Sequence, residues 1–338
     1  MSTSYFWLAT AFLCALLLGC SATDNSSRPI LSELEIYTFG HQYTRWFYTH
    51  ELDSLVSRIV NPDYTVQQLR SFRVEVQRSI GEEEERLNER TSILPFENNY
   101  YQFVRFSRFE KTDRVVQTSF GFDDSGNIFE FTVENMPEEA PTRFWDYKTK
   151  TKLRLPFDGE WTVASGGRTI NLNNHTVAED QRFAYDFLIK HDGRTFQTTG
   201  RRNEDYYCYE REILAPGSGI VVDIRNDIPE NKLGDMPANS GNRVIIDHGN
   251  GEFSVLAHFK KGTVVVDVGH QVEMGQLLGL CGNSGHSSEP HLHYHLQNSP
   301  QMFAGEGLPA QFQSYQADGE SVEVGEPISG QKVRHEYK

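Results

Sequence analysis

Cationic side chains are scarce in this sequence. Its 338 residues hold 32 Lys and Arg against 47 Asp and Glu, a formal net charge of -15. Phosphate recognition needs clustered cations, so this balance argues against a nucleic-acid partner. Long apolar runs are also missing. Phe6 to Leu18 is broken only by Thr10 and Cys14, and it is too short to span a bilayer comfortably as a permanent helix. No later segment is apolar enough to cross. Cysteine occurs four times, at positions 14, 20, 208 and 281. Aromatics are the opposite case: 22 Phe and 15 Tyr let each of the two domains implied by this length bury a core.

The apolar run ends in Leu17-Leu18-Gly19-Cys20, and Ser21 to Ser27 is polar. This resembles a bacterial lipoprotein signal, although no Lys or Arg precedes the run. The resemblance implies removal of residues 1–19 and acylation of Cys20, with residues 20–30 as a tether. It also implies a lipid anchor in the cell envelope. Ser21, where an Asp would hold the protein at the inner membrane, points to the outer membrane facing the periplasm. A plain secretory signal with Cys20 incidental is the alternative. Export would leave Cys208 and Cys281 in an oxidising compartment, either as a disulfide or as two buried thiols.

The first domain is expected over residues 31–135. Ser32-Glu33-Leu34-Glu35 is a capping-box pattern, and Ile36, Phe39, Tyr43, Trp46, Phe47 and His50 follow at helical spacing. Val66, Leu69, Phe72, Val76 and Ile80 predict a second helix before the acidic run Glu82 to Glu85. After Pro95 the period changes to two, and Asp123 to Asn127 supplies a turn before the alternation of Phe129, Phe131 and Val133. Helices followed by a curved antiparallel sheet form an α+β layout, similar in pattern to nuclear-transport-factor and cystatin-like domains. His41 and His50 read as structural or surface residues. Residues 136–151 read as a linker and residues 313–338 as a C-terminal extension. From about Leu153 the text is β-rich. The segments 213–222 read as strand, turn, strand; 242–258 as a hairpin around His248 to Gly251; and 264–268 as a half-buried strand.

Pro290-His291-Leu292-His293-Tyr294-His295 carries the most chemical information, because alternate side chains on a strand share a face. Upstream stand Cys281 to Gly285, Leu256-Ala257-His258-Phe259 and Ala184-Tyr185-Asp186-Phe187. Leu214-Ala215-Pro216 with Gly219, and Gly269, Val272 and Gly275-Gln276, lie between them. In this order the motifs resemble lysostaphin/LytM-type zinc metallopeptidases over roughly residues 152–312. The resemblance implies a mainly-β peptidase domain of antiparallel sheets with a duplicated hybrid motif. It implies Zn2+ held by Asp186, His293 and a second histidine, and two further histidines, His258 and His291, that act on substrate. The family's usual first ligand lies four residues before the Asp, where this chain has Arg182, which cannot bind zinc. His175, in Asn173-Asn174-His175, is the candidate in its place; otherwise it is a loop histidine beside a crippled site.

Two His and one Asp leave the fourth tetrahedral position open for water, as a catalytic zinc requires. Either His258 or His291 can serve as general base while the other supports the oxyanion. His295, about 7 Å along the strand from His293, suits a supporting or groove-lining place. His248 reads as structural, His191, His270, His286 and His335 as surface residues, and Asn283 and Ser284 as possible groove lining. The function implied is a zinc endopeptidase acting on peptidoglycan stem or cross-bridge peptides. Two rivals stay open: a metal-free binding or activator protein, and a structural zinc closed by Cys281.

Overall fold

The computed structural model describes residues 30–61, 63–95 and 99–336. The lipoprotein signal and Cys20 lie outside the described residues. Among those described, no helix is long and apolar enough to cross a membrane. Two compact units are present, one running to Pro137 and taking in Asp192–Arg194, the other comprising Glu138–His191 and Thr195 onward.

The first unit opens with helices α1 (Glu33–Tyr48), α2 (Leu52–Val56) and α3 (Val66–Ile80). Ser32 starts α1 with the capping box read in the sequence: its side chain accepts from Glu35 N, and its own N–H donates to Glu35 Oε2 at 2.7 Å. Thr65 and Gln68 do the same for α3. Strands β1 (Glu83–Pro95), β2 (Asn99–Phe109), β3 (Thr112–Phe122) and β4 (Ile128–Asn135) form an antiparallel sheet in that order. Tyr43, Phe47, Phe103 and Phe120 fill the core. Close approach of α1 to the sheet depends on Gly40, where a Cβ would sit 2.0 Å from the Phe103 ring. The acidic run at Glu82 is not a helix end but the entry to β1. Arg105 and Arg108 on β2 pair with Glu83, Glu89 and Glu85 across the ladder, so charge replaces apolar alternation there.

The second unit is built almost wholly of antiparallel strands. They are β5 (Glu160–Ser165), β6 (Tyr185–Leu188), β7 (Glu212–Leu214), β8 (Gly219–Arg225), β9 (Asn242–Asp247), β10 (Phe253–Phe259), β11 (Gln271–Val272), β12 (Leu277–Leu280), β13 (Leu292–Gln297), β14 (Gly307–Leu308), β15 (Phe312–Ala317), β16 (Glu320–Gly325) and β17 (Lys332–His335). One eleven-stranded sheet runs β11-β8-β9-β10-β13-β6-β5-β17-β15-β16, with β14 on β13; β7 and β12 form a separate pair. Phe157, Trp161, Tyr185, Phe187, Tyr294 and Phe312 pack its core.

Three expectations are corrected here. Residues 313–338 are not an appendage: β15, β16 and β17 belong to the main sheet, and β17 pairs with β5. Linker residues from Glu138 belong to the second unit, because their polar groups find acceptors there. Glu252, fully buried, accepts from Tyr147 Oη (2.8 Å), Lys150 N (2.7 Å) and Thr151 N (2.8 Å). Residues 264–268 form no strand; Val266 turns inward as the alternation requires, but the segment is held instead by Val265 N to Leu278 O and by the Asn226 side chain. Cys208 and Cys281 are both buried free thiols, with Cys208 Sγ donating to Pro290 O at 2.9 Å.

Candidate metal centre

The central pairing comes from strand register. β13 lies between β10 and β6, with His293 opposite Asp186 on one side and Ala257 on the other. Directly opposed residues project from the same face of a sheet. His293 Nδ1 accordingly lies 3.0 Å from Asp186 Oδ1.

His175 arrives from a different element, a 3-10 turn at Asn174–Val177. Asn173, fully buried, caps this turn and organises it. Its Nδ2 donates to the carbonyls of Gly167, Arg182 and Ala184, which fixes Oδ1 as the acceptor. That oxygen receives both the backbone N–H and Nδ1–H of His175, each at 3.0 Å. The His175 lone pair is left on Nε2, 3.4 Å from Asp186 Oδ2.

One donor atom from each of His175, Asp186 and His293 therefore falls within 4.8 Å of the others. Ligands on a tetrahedral zinc with bonds near 2.0 Å stand roughly 3.3 Å apart. Separations of 3.0 and 3.4 Å, and two imidazoles with one carboxylate, fit that requirement. Burial alone would raise the Asp186 carboxyl. The neighbouring His175 and His291 reverse this and hold it well below the usual carboxylate range.

Two more imidazoles face the triplet. His258 lies between the paired residues Ala257 and Phe259 of β10, at a register shift against β9, with φ 70°. Such a bulge re-aims a side chain at the cost of an unfavourable backbone conformation. Its ring lies 4.7 Å from that of His291 and 5.7 Å from that of His293, centre to centre. Nδ1–H of His258 donates to Ser284 O at 2.7 Å, so Nε2 carries the lone pair. Burial, reinforced by the neighbouring His291 and His293, pushes this imidazole well below its ordinary range. His291 behaves oppositely. Its Nδ1–H donates to Glu289 O at 2.9 Å, and Nε2 lies 3.6 Å from Asp186. Burial would lower it, but the Asp186 charge outweighs that and lifts it to about 9.

The five site residues read from the sequence thus meet at one place. Arg182 stays out of it, its guanidinium donating to Glu139 at 2.9 Å. Asn283 and Ser284 are fully buried and line no groove; Ser284 instead supplies the carbonyl that orients His258. His295 is fully buried against His293, not groove-lining. Sequence reasoning missed Asn173, although it stands two residues from His175.

Residues 204–304 match Peptidase family M23. The peptidoglycan DD-endopeptidase ShyA of Vibrio cholerae is 37% identical over 143 residues, 42% of this chain and 26% of that protein. An uncharacterized metalloprotease of Buchnera aphidicola subsp. Baizongia pistaciae is 33% identical over 82 residues, 24% of this chain and 19% of its own. The chain therefore spans about a quarter or less of the curated relatives it matches. Among solved structures, a zinc containing peptidase from Vibrio cholerae is similar with a TM-score of 0.30 and 15% identity, covering 68% of this chain and 56% of that one. The family match takes in His258, His291 and His293, while His175 and Asp186 precede it, and the sheet sets Asp186 opposite His293. The stretch that matches Peptidase family M23 lies within the second unit.

Proposed function

We propose that this protein is a zinc-dependent endopeptidase that hydrolyses peptide bonds in peptidoglycan. The observation that carries the reading is the convergence of His175, Asp186 and His293 on one point, with His258 and His291 beside it. The similarity to a peptidoglycan DD-endopeptidase supports the substrate class. A zinc ion held by these three groups would supply Lewis acidity, making water ionise near neutral pH and polarising a carbonyl.

The protein's own groups divide the remaining work. His258, neutral and with its lone pair on Nε2, is the general base that takes the proton of the attacking water. His291, held toward its protonated form by the Asp186 carboxylate, is the donor that meets negative charge developing on the carbonyl oxygen. His258 stands on β10 and His291 directly precedes β13, so the sheet anchors both and little reorganisation accompanies the reaction. Lipidation at Cys20 would keep this activity at the envelope, and the first unit would position the enzyme or restrict access to it. Deleting residues 30–137 without any change in envelope retention or activity would remove that last role.

Digestion of purified peptidoglycan, followed by mass spectrometry of the released fragments, tests the reading. Zinc-loaded protein is expected to release peptide fragments, with His293→Ala releasing none above background. No release by the zinc-loaded parent would leave a binding module instead.

A further inference from the structure

His295 and Gln297 have no part in the chemistry above, yet both are fully buried on the strand that carries His293. They form one hydrogen-bonded line. His293 Nε2 lies 2.9 Å from His295 Nδ1, and His295 Nε2 lies 3.1 Å from Gln297 Oε1. Gln297 Nε2 donates to the carbonyls of Ser299, at 2.7 Å, and Gln301, at 3.0 Å.

The far end dictates every proton along this line. Backbone carbonyls only accept, and turning the Gln297 amide over would aim its oxygen at two other oxygens. Oε1 therefore faces His295, and as a carbonyl it can only accept, so His295 carries its proton on Nε2. A second proton would place a cation in a fully buried site between an imidazole and an amide, at a steep desolvation cost. His295 Nδ1 is accordingly an acceptor, and His293 Nε2 is the donor to it. The lone pair of His293 falls on Nδ1, the atom turned toward Asp186. On the other side of the carboxylate, the buried amide of Asn173 leaves the His175 lone pair on Nε2 in the same manner.

We infer that His295 and Gln297 are positioning residues for the metal centre, fixing His293 as an Nδ1 ligand through a hydrogen-bonded line anchored on the carbonyls of Ser299 and Gln301. This rests on reading the triplet as a metal site. Groups that orient a ligand imidazole typically change metal affinity by about 10- to 100-fold when removed.

The test is zinc affinity, measured on the full chain by competition with a chromophoric chelator. His295→Phe keeps the ring shape without an acceptor, and Gln297→Leu removes the anchor; each is expected to weaken zinc by about 10- to 100-fold. His295→Asn keeps an oxygen near the place of Nδ1, so it is expected to stay far closer to the parent. Equal affinity in His295→Phe, Gln297→Leu and the parent overturns the inference, as does equal weakening in all three variants. Imidazole 15N resonances of the unsubstituted chain give a reading that needs no variant: His295 protonated at Nε2 and unprotonated at Nδ1 is expected. Tight zinc with the opposite tautomer overturns the line alone, whereas no zinc bound by the parent overturns the metal reading itself.

Discussion

His258 holds a φ of 70° in a strand whose other residues are extended, and the bulge turns its ring toward His291 and His293. A conformation that β-carbon sterics disfavour persists where surrounding contacts impose it, here the Ser284 carbonyl at 2.7 Å. His258→Ala is expected to lower kcat by about 100- to 10,000-fold, the range for a lost general base, while zinc content stays at the parent level. Loss of zinc from that variant, read by elemental analysis, would contradict the assignment. His291 sets the other boundary. Its pKa of about 9 is maintained by the Asp186 carboxylate, so a cation bound to that carboxylate should draw it down. In the metal-free protein, NMR titration is expected to show His291 losing its proton near 9, and zinc loading is expected to lower the value. Activity should then fall on the alkaline side at or below that pH as the donor is lost.

At the scale of elements, the hairpin of β9 and β10 does more than place His258. Its turn carries Glu252, which holds Tyr147, Lys150 and Thr151 against the second unit. Glu252→Ala would leave the Lys150 and Thr151 N–H groups without this acceptor and is expected to cost about 1–3 kcal/mol, seen as a lower midpoint in urea. Burial would raise the Glu252 carboxyl, but the hydrogen bonds from Lys150, Thr151 and Tyr147 hold it below its ordinary 4.5. A depressed carboxyl contributes stability above its unfolded value and loses it as the pH falls through the folded one. The difference between parent and variant should therefore shrink under acid conditions below 4.5. These contacts also mark what was legible beforehand. The motifs around His258, His291 and His293 stand on or beside β10 and β13, where period two and turn residues speak locally, although the bulge at His258 has no such signature. Strand β1 was hidden because its outward partners are arginines on β2 rather than apolar residues. Glu252 and Asn173 were hidden because their importance lies in which distant amides they accept from or donate to, which no local pattern records.

Taken whole, the molecule separates its tasks by unit. Every member of the triplet and both flanking histidines belong to the second unit, whose core is its own. A chain lacking residues 30–137 is expected to bind zinc with the affinity of the full chain within about threefold, well under the loss attributed to a missing orienting group. A large loss in calorimetric titration would show that the first unit shapes the site.

Calorimetric zinc titration of the full chain against His175→Ala, Asp186→Ala and His293→Ala tests the metal centre most directly. One ion bound tightly by the parent is expected, with each substitution weakening it by about 100-fold or more, beyond what orienting groups alone account for. A parent that takes up no zinc, or a His175→Ala variant that binds it as tightly as the parent, would contradict the account.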